Sequence, residues 1–174
     1  MDQLDLRILK ALQEDGRRPN ADLAREFGVA PSTTLERIRR LEEQGVLLGY
    51  RARIDRNKLG LTVQAMISIT LGQTNAEAIR PFEEGIRSIP FIRACYHISG
   101  RFDYLVHLAA RDLDHLGHLV KEGIAAIPGV ARTETFLVFS EIKSDLGWPV
   151  EIGPAQNETT KSHPRGGSKP RVRR

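Results

Sequence analysis

The spacing of apolar residues changes character near residue 60, so one chain must carry two differently built units. Before that point the spacing is helical. Leu4, Ile8 and Leu12, with Leu6 and Leu9 beside them, make the apolar side of a first helix that should end near Gly16. Asn20 suits the N-cap of a short second helix with Leu23, Ala24 and Phe27 inward. Gly28 should stop it, because glycine adopts the left-handed conformation just past a helix end at little cost. Pro31 opens a third helix, where a first-turn residue needs no N–H, and Thr33 and Glu36 have capping-box spacing. Leu35, Ile38 and Leu41 are the expected buried stripe of that helix, and Gly45 its end. Val46 to Ile54 reads as a short strand pair or wing, and residues 55–60 as a polar connector.

Beyond the connector, Val63, Ala65, Ile67, Ile69 and Leu71 alternate with polar or lesser apolar neighbours, the period of a strand. Ile79, Phe82, Ile86 and Ile89 return to helical spacing. Ile92–Ile98 and Tyr104–Ala110 read as strands joined by a hairpin-like turn, Ser99 to Asp103. Leu113, Leu116, Val120, Ile124 and Ile127 make another helix, and Val130–Ile142 a long last strand. The order is βαββαβ. Ile86-Arg87-Ser88-Ile89-Pro90 is echoed by Ile124-Ala125-Ala126-Ile127-Pro128, each ending a helix where proline blocks its continuation. Two βαβ halves with one kind of corner point to a ferredoxin-like split βαβ fold. The expected class is therefore α+β. A winged helix-turn-helix domain covers residues 1–58, a ferredoxin-like domain covers 59–149, and a disordered basic tail covers 150–174.

Charge narrows the function. The net charge of +4 is carried by the end of the chain, since residues 161–174 contribute +6, residues 59–160 contribute −4 and residues 1–58 contribute +2. A tail of that charge should bind phosphate without sequence preference. The single cysteine, Cys95, excludes an internal disulfide framework and reads as a small apolar core residue. No long apolar run suggests a membrane span, and the acidic start lacks the pattern of a signal peptide, so a cytoplasmic protein is expected.

Two helices separated by Gly28-Val29-Ala30-Pro31 have the proportions of a helix-turn-helix. With Leu35, Ile38 and Leu41 inward, the third helix would offer Ser32, Thr33, Thr34, Glu36, Arg37, Arg39 and Arg40 to double-stranded DNA. Hydroxyls and arginines are the groups that reach phosphates and base edges in a major groove. Arg51 and Arg53 in the wing would touch the flanking backbone.

Several stretches carry a family resemblance. Leu4-Asp5-Leu6-Arg7-Ile8-Leu9, the run Leu35-Glu36-Arg37-Ile38-Arg39-Arg40-Leu41-Glu42-Glu43-Gln44-Gly45, Ser99-Gly100-Arg101-Phe102-Asp103-Tyr104 and Ile127-Pro128-Gly129-Val130 resemble, in order, segments of the Lrp/AsnC (feast/famine) regulators. The resemblance implies a DNA-binding domain joined to a ligand-sensing domain. It also implies pairing through the sheets, further assembly to tetramers or octamers, and a small effector, usually an amino acid, bound between subunits near the Gly100 turn. The chain departs from the family pattern at Ala30, where serine is usual before the proline, and in its basic tail.

The chemistry of the turn fits that expectation. Gly100 allows close approach, Asp103 offers a carboxylate for an α-ammonium group, and Thr133 or Thr135 offer hydroxyls for an α-carboxylate. Tyr96, Ser99, Arg101, Phe102 and Tyr104 complete the expected effector site, with Arg101 favouring an acidic side chain if it faces the pocket. The same residues also suit a plain hairpin that Asp103 merely caps. His115, His118 and Glu122 share a helical face but read as its polar side, and neither a metal nor a cofactor is expected. No phosphate loop, nucleophile elbow or catalytic carboxylate pair appears, so an enzyme is not the first reading. Two alternatives remain. One is an enzyme similar to the sirohaem decarboxylases, with His97, His107, His115 and His118 as the residues of interest. The other is a nucleoid architectural protein that senses nothing.

Overall fold

A computed structural model describes residues 1–145 and 147–151. The chain divides into two compact units, Met1–Arg51 and Ala52–Ser144, with the described residues from Asp145 onward grouped with the first. The expected basic tail lies, beyond Glu151, outside the described residues.

The first unit is three helices, α1 (Gln3–Glu14), α2 (Asn20–Phe27) and α3 (Pro31–Glu43). Ile8, Ala11, Leu12, Leu23 and Leu41 form its buried core, with Leu4, Leu9, Phe27, Ile38 and Leu47 packed around them. Asp2 and Asp5 cap the start of α1 reciprocally, each carboxylate accepting the other's backbone N–H at 2.9–3.0 Å. Three local expectations need correction. Asn20 is not a cap. It is the first residue of α2, and its side-chain amide donates to the Pro31 carbonyl at 3.0 Å, tying the starts of α2 and α3 together. The Thr33–Glu36 capping box does not form, because α3 already begins at Pro31 behind an uncapped Ala30. The wing is also absent, as residues 46–55 form no strand. Leu48 is 92% exposed and Ile54 68%, so a ribbon there would have no apolar face to pack. Gly28, by contrast, takes the left-handed φ of +69° expected of a helix stop.

The second unit opens with a 3₁₀ turn, Arg56–Leu59. Its strands are β1 (Val63–Leu71), β2 (Ile92–His97), β3 (Tyr104–Ala110) and β4 (Val130–Leu137). They form one antiparallel sheet in the order β2-β3-β1-β4, the ferredoxin-like arrangement. Helices α4 (Ala76–Arg87) and α5 (Leu113–His118) contribute to one core with one sheet face. Ala65, Ile67, Ile69, Tyr104, Val106 and Leu108 point into that core with Phe82, Ile86, Leu116 and Ile124. The helix after α5 widens into a π-helical stretch, Leu119–Ile124, where the Ala125 N–H reaches back five residues to the Val120 carbonyl at 2.8 Å. β4 is shorter than expected. The Val138 N–H still donates to the Gln64 carbonyl, but β1 starts at Val63 and offers nothing further to pair with.

The sequence echo is a structural repeat. In the first corner the N–H groups of Ile89 and Ile92 donate to Ile86 and Ile89; in the second, those of Ile127 and Val130 donate to Ile124 and Ile127. A glycine precedes each motif. A Cβ on Gly85 would lie 3.0–3.2 Å from Ile127, and one on Gly123 would lie 3.5 Å from Ile89. Each half therefore leaves a gap that the other half's isoleucine fills.

Candidate functional site

In α3 the buried residues are Thr34 and Leu41, both 0% exposed, with Ile38 partly buried between them. The inward face is thus turned by one residue from the expected stripe, and Leu35 is 40% exposed. Thr34 is withdrawn from the surface set. Arg37 is largely withdrawn too. Its Nη1 donates to Asp5 at 2.9 Å and to Asp2 at 2.5 Å, while Arg40 Nη2 donates to both Asp5 oxygens at 2.9 Å. Arg37 holds the Asp2 carboxyl below the usual range. Burial pushes the Asp5 carboxyl up, but the Asp2 N–H and Arg37 outweigh it and the net shift is downward. What remains outward on α3 is a stripe of Ser32, Leu35, Glu36, Arg39 and Glu43, one helical face at successive turns. Thr33 is half-buried and Arg40 half-exposed beside it. Arg51 and Arg53 are exposed, but in an irregular segment rather than a wing.

The effector candidates divide between the two faces of the sheet. Thr133 and Thr135 pair with Ile69 and Ile67, which places them on the face that carries the helices. Tyr104 is on that side too, 2% exposed, between Phe82 and His97, its hydroxyl 3.3 Å from a Glu83 oxygen. The Asp103 carboxylate accepts the Leu71 N–H at 2.8 Å, so it ties the turn to the end of β1 instead of capping the hairpin itself. Tyr96 pairs with Leu105, which pairs with Ser68, on the opposite, open face. Ser99 and Gly100 are exposed at the turn, with Gly100 at a φ of +146°.

A shallow cavity of about 330 Å³ does form at the turn, lined by Arg101 and Phe102 with Ser68, Thr70, Arg132 and Glu134. Thr133 and Thr135 are not among its lining residues, and Arg132 and Glu134 take the place expected of them. Strand alternation separates residues 132 and 134 from 133 and 135, and the register on β1 decides which pair faces out. With Ile67 and Ile69 inward, residues 132 and 134 must face out on the neighbouring strand. Arg132 Nη2 lies 2.8 Å from Glu134 Oε1. Opposite charges and two hydroxyls at one open cavity suit a small zwitterion.

The four histidines do not converge. His97 stacks on Tyr104, His107 lies on the open face 3.4 Å from the Gln64 amide, the His115 ring accepts the Arg111 N–H, and His118 pairs with Glu122 at 3.2 Å. No helix of the described residues is long and apolar enough to cross a membrane.

A helix-turn-helix followed by a ferredoxin-like unit with a polar cavity defines a DNA-binding transcriptional regulator with a ligand-binding domain. Comparison with known proteins agrees. Residues 1–42 match the AsnC-type helix-turn-helix domain and residues 64–148 the Lrp/AsnC ligand binding domain. The chain is 44% identical over 144 residues to the HTH-type transcriptional regulator AldR of Mycolicibacterium smegmatis, covering 82% of this chain and 84% of that protein. It is 34% identical to the leucine-responsive regulatory protein of Escherichia coli, over 82% of this chain and 87% of the relative. A crystal structure of a transcriptional regulator from Neisseria meningitidis in complex with L-Met superposes with a TM-score of 0.79 at 29% identity, over 83% of this chain and 93% of that one. The chain belongs to the Lrp/AsnC family of transcriptional regulators.

Proposed function

We propose that this regulator senses an amino acid at the cavity beside the Gly100 turn and reads DNA with the outward stripe of α3. The observation that carries the sensing half is the Arg132–Glu134 pair at the cavity wall, 2.8 Å apart. A bound amino acid would exchange that pair for two intermolecular ones, its carboxylate on Arg132 and its ammonium on Glu134. Ser68 and Thr70 add hydroxyls, and Arg101 selects against basic side chains. The L-Met complex of the Neisseria relative supports an amino acid as the class of ligand.

The open sheet face takes a second copy of the chain, and dimers assemble further to tetramers or octamers. Each dimer offers two α3 helices to successive major grooves, so half-sites lie about 10 base pairs, or a multiple, apart. The protein works in the cytoplasm on the nucleoid, as a regulator rather than an enzyme. The test is thermal stability of the full chain against a panel of single amino acids. A ligand at about 100 times its dissociation constant should add about 2.7 kcal/mol to the folded state. One hit that Glu134→Gln and Arg132→Gln both abolish is the expected result. A panel without a hit, or a hit indifferent to both substitutions, removes the cavity from the sensing role.

A further inference from the structure

We infer that Leu35 reads the 5-methyl group of a thymine in the operator, making an apolar side chain a specificity determinant of this regulator. The inference rests on α3 reading DNA as proposed above. A lone exposed leucine means nothing by itself, since folded proteins carry many. The position of this one is what matters. It stands between Ser32 and Arg39 in the outward stripe, with Glu36 beside it. It is 40% exposed and does not belong to the core cluster of the first unit. The rotation of the helix that buries Thr34 is what turns Leu35 out. That rotation is held from behind, where Arg37 and Arg40 are both bonded to Asp5. Among the residues named on this stripe, Leu35 alone has no polar group to offer a base.

The major groove has one apolar feature to match it. Guanine, adenine and cytosine present donors and acceptors at their edges, and thymine adds a methyl group. A leucine pressed on a polar edge would strip its water without replacing the hydrogen bond, which is unfavourable. Against thymine the same side chain buries a methyl. Leu35 therefore selects twice, by gaining contact with thymine and by penalising the other bases at that position.

The experiment uses the full chain. Duplexes are first selected from a random pool, and each thymine of the selected site is then replaced in turn by deoxyuridine, which lacks only the methyl. Replacement at one position of a half-site should weaken binding by about fourfold, the equivalent of one unburied methyl group. Leu35→Ala should bind the thymine and uracil duplexes equally, and Leu35→Met should keep most of the penalty. Melting temperatures of both variants should stay near the wild type, since the side chain is outside the core. A penalty at no thymine, or one that Leu35→Ala retains, overturns the inference while leaving α3 as the reading helix. A pool that yields no preferred sequence overturns the DNA-reading proposal itself, and this inference with it.

Discussion

Asp5 is 1% exposed and accepts from two arginines and the Asp2 N–H. A carboxylate so buried is tolerated only because each lone pair is met. Asp5→Asn should therefore destabilise the chain by about 1.5–3 kcal/mol, the range for hydrogen bonds to charged groups, read as a lower urea midpoint. The pH dependence has a definite sign. The carboxyls of Asp2 and Asp5 are depressed in the folded state, so their stabilisation is present above the unfolded value of about 3.9 and is lost as the pH falls through the folded ones. The gap between wild type and Asp5→Asn should thus close below about pH 4; a constant gap would mean that packing, not charge, carries it. Thr34 gives the opposite sign. Its hydroxyl oxygen is buried and meets no hydrogen-bond partner among the described residues. Thr34→Val should raise stability by about 1 kcal/mol, because it removes an unsatisfied group at nearly constant volume. DNA affinity should not move, whereas a loss of affinity would return Thr34 to the contact surface.

At the level of elements, the two halves of the second unit lock through glycine. The added methyl of Gly85→Ala would press on Ile127, and overpacking of this kind costs about 1–3 kcal/mol, more than the roughly 1 kcal/mol of helix propensity it recovers. Gly117, also helical, faces open space, so Gly117→Ala should stabilise by about 0.5–1 kcal/mol. Thermal melts of the two variants should move in opposite directions; a shared direction would mean that the α4 packing yields more easily than its geometry suggests. This contrast also marks what a sequence can show. The Ile-x-x-Ile-Pro echo exposed both corners, because periodicity and proline are local signals. The facing glycines were not legible, since only three-dimensional packing tells Gly85 from Gly117. The phase of α3 was missed for a similar reason. Thr34 and Leu35 are adjacent, hydropathy favours burying the leucine, and the deciding tie is an ion cluster with α1, some thirty residues away. The cavity was half legible. Its turn was marked by glycine and aspartate, but choosing residues 132 and 134 over 133 and 135 required the register of β4 on β1.

At the level of the whole molecule, the helices of the second unit pack on one sheet face, and no described helix of that unit packs on the other. That other face presents Met66, Leu105, His107 and Phe136 in neighbouring register, with Tyr96 55% and Phe136 43% exposed. An antiparallel sheet can keep one face in water, but such faces are then mostly polar. Its apolar part, Met66, Leu105 and Phe136, is what the proposed second copy would cover, and a symmetric pair would set each Phe136 patch against a like patch. Phe136→Asp tests this with little risk to the fold, because residue 136 is outside the buried core. It would put carboxylates into the shared surface, where burial without a partner is costly. Light scattering should then report a smaller assembly, with the melting temperature reduced only by the lost contact. The effect on DNA follows from linkage of sites. A dimer gains about 10²- to 10⁴-fold from binding two half-sites at once, so the variant should lose that factor on a palindrome and almost nothing on a single half-site. Equal losses on both duplexes would mean that residue 136 acts through folding. An unchanged mass would place the assembly surface elsewhere on the chain.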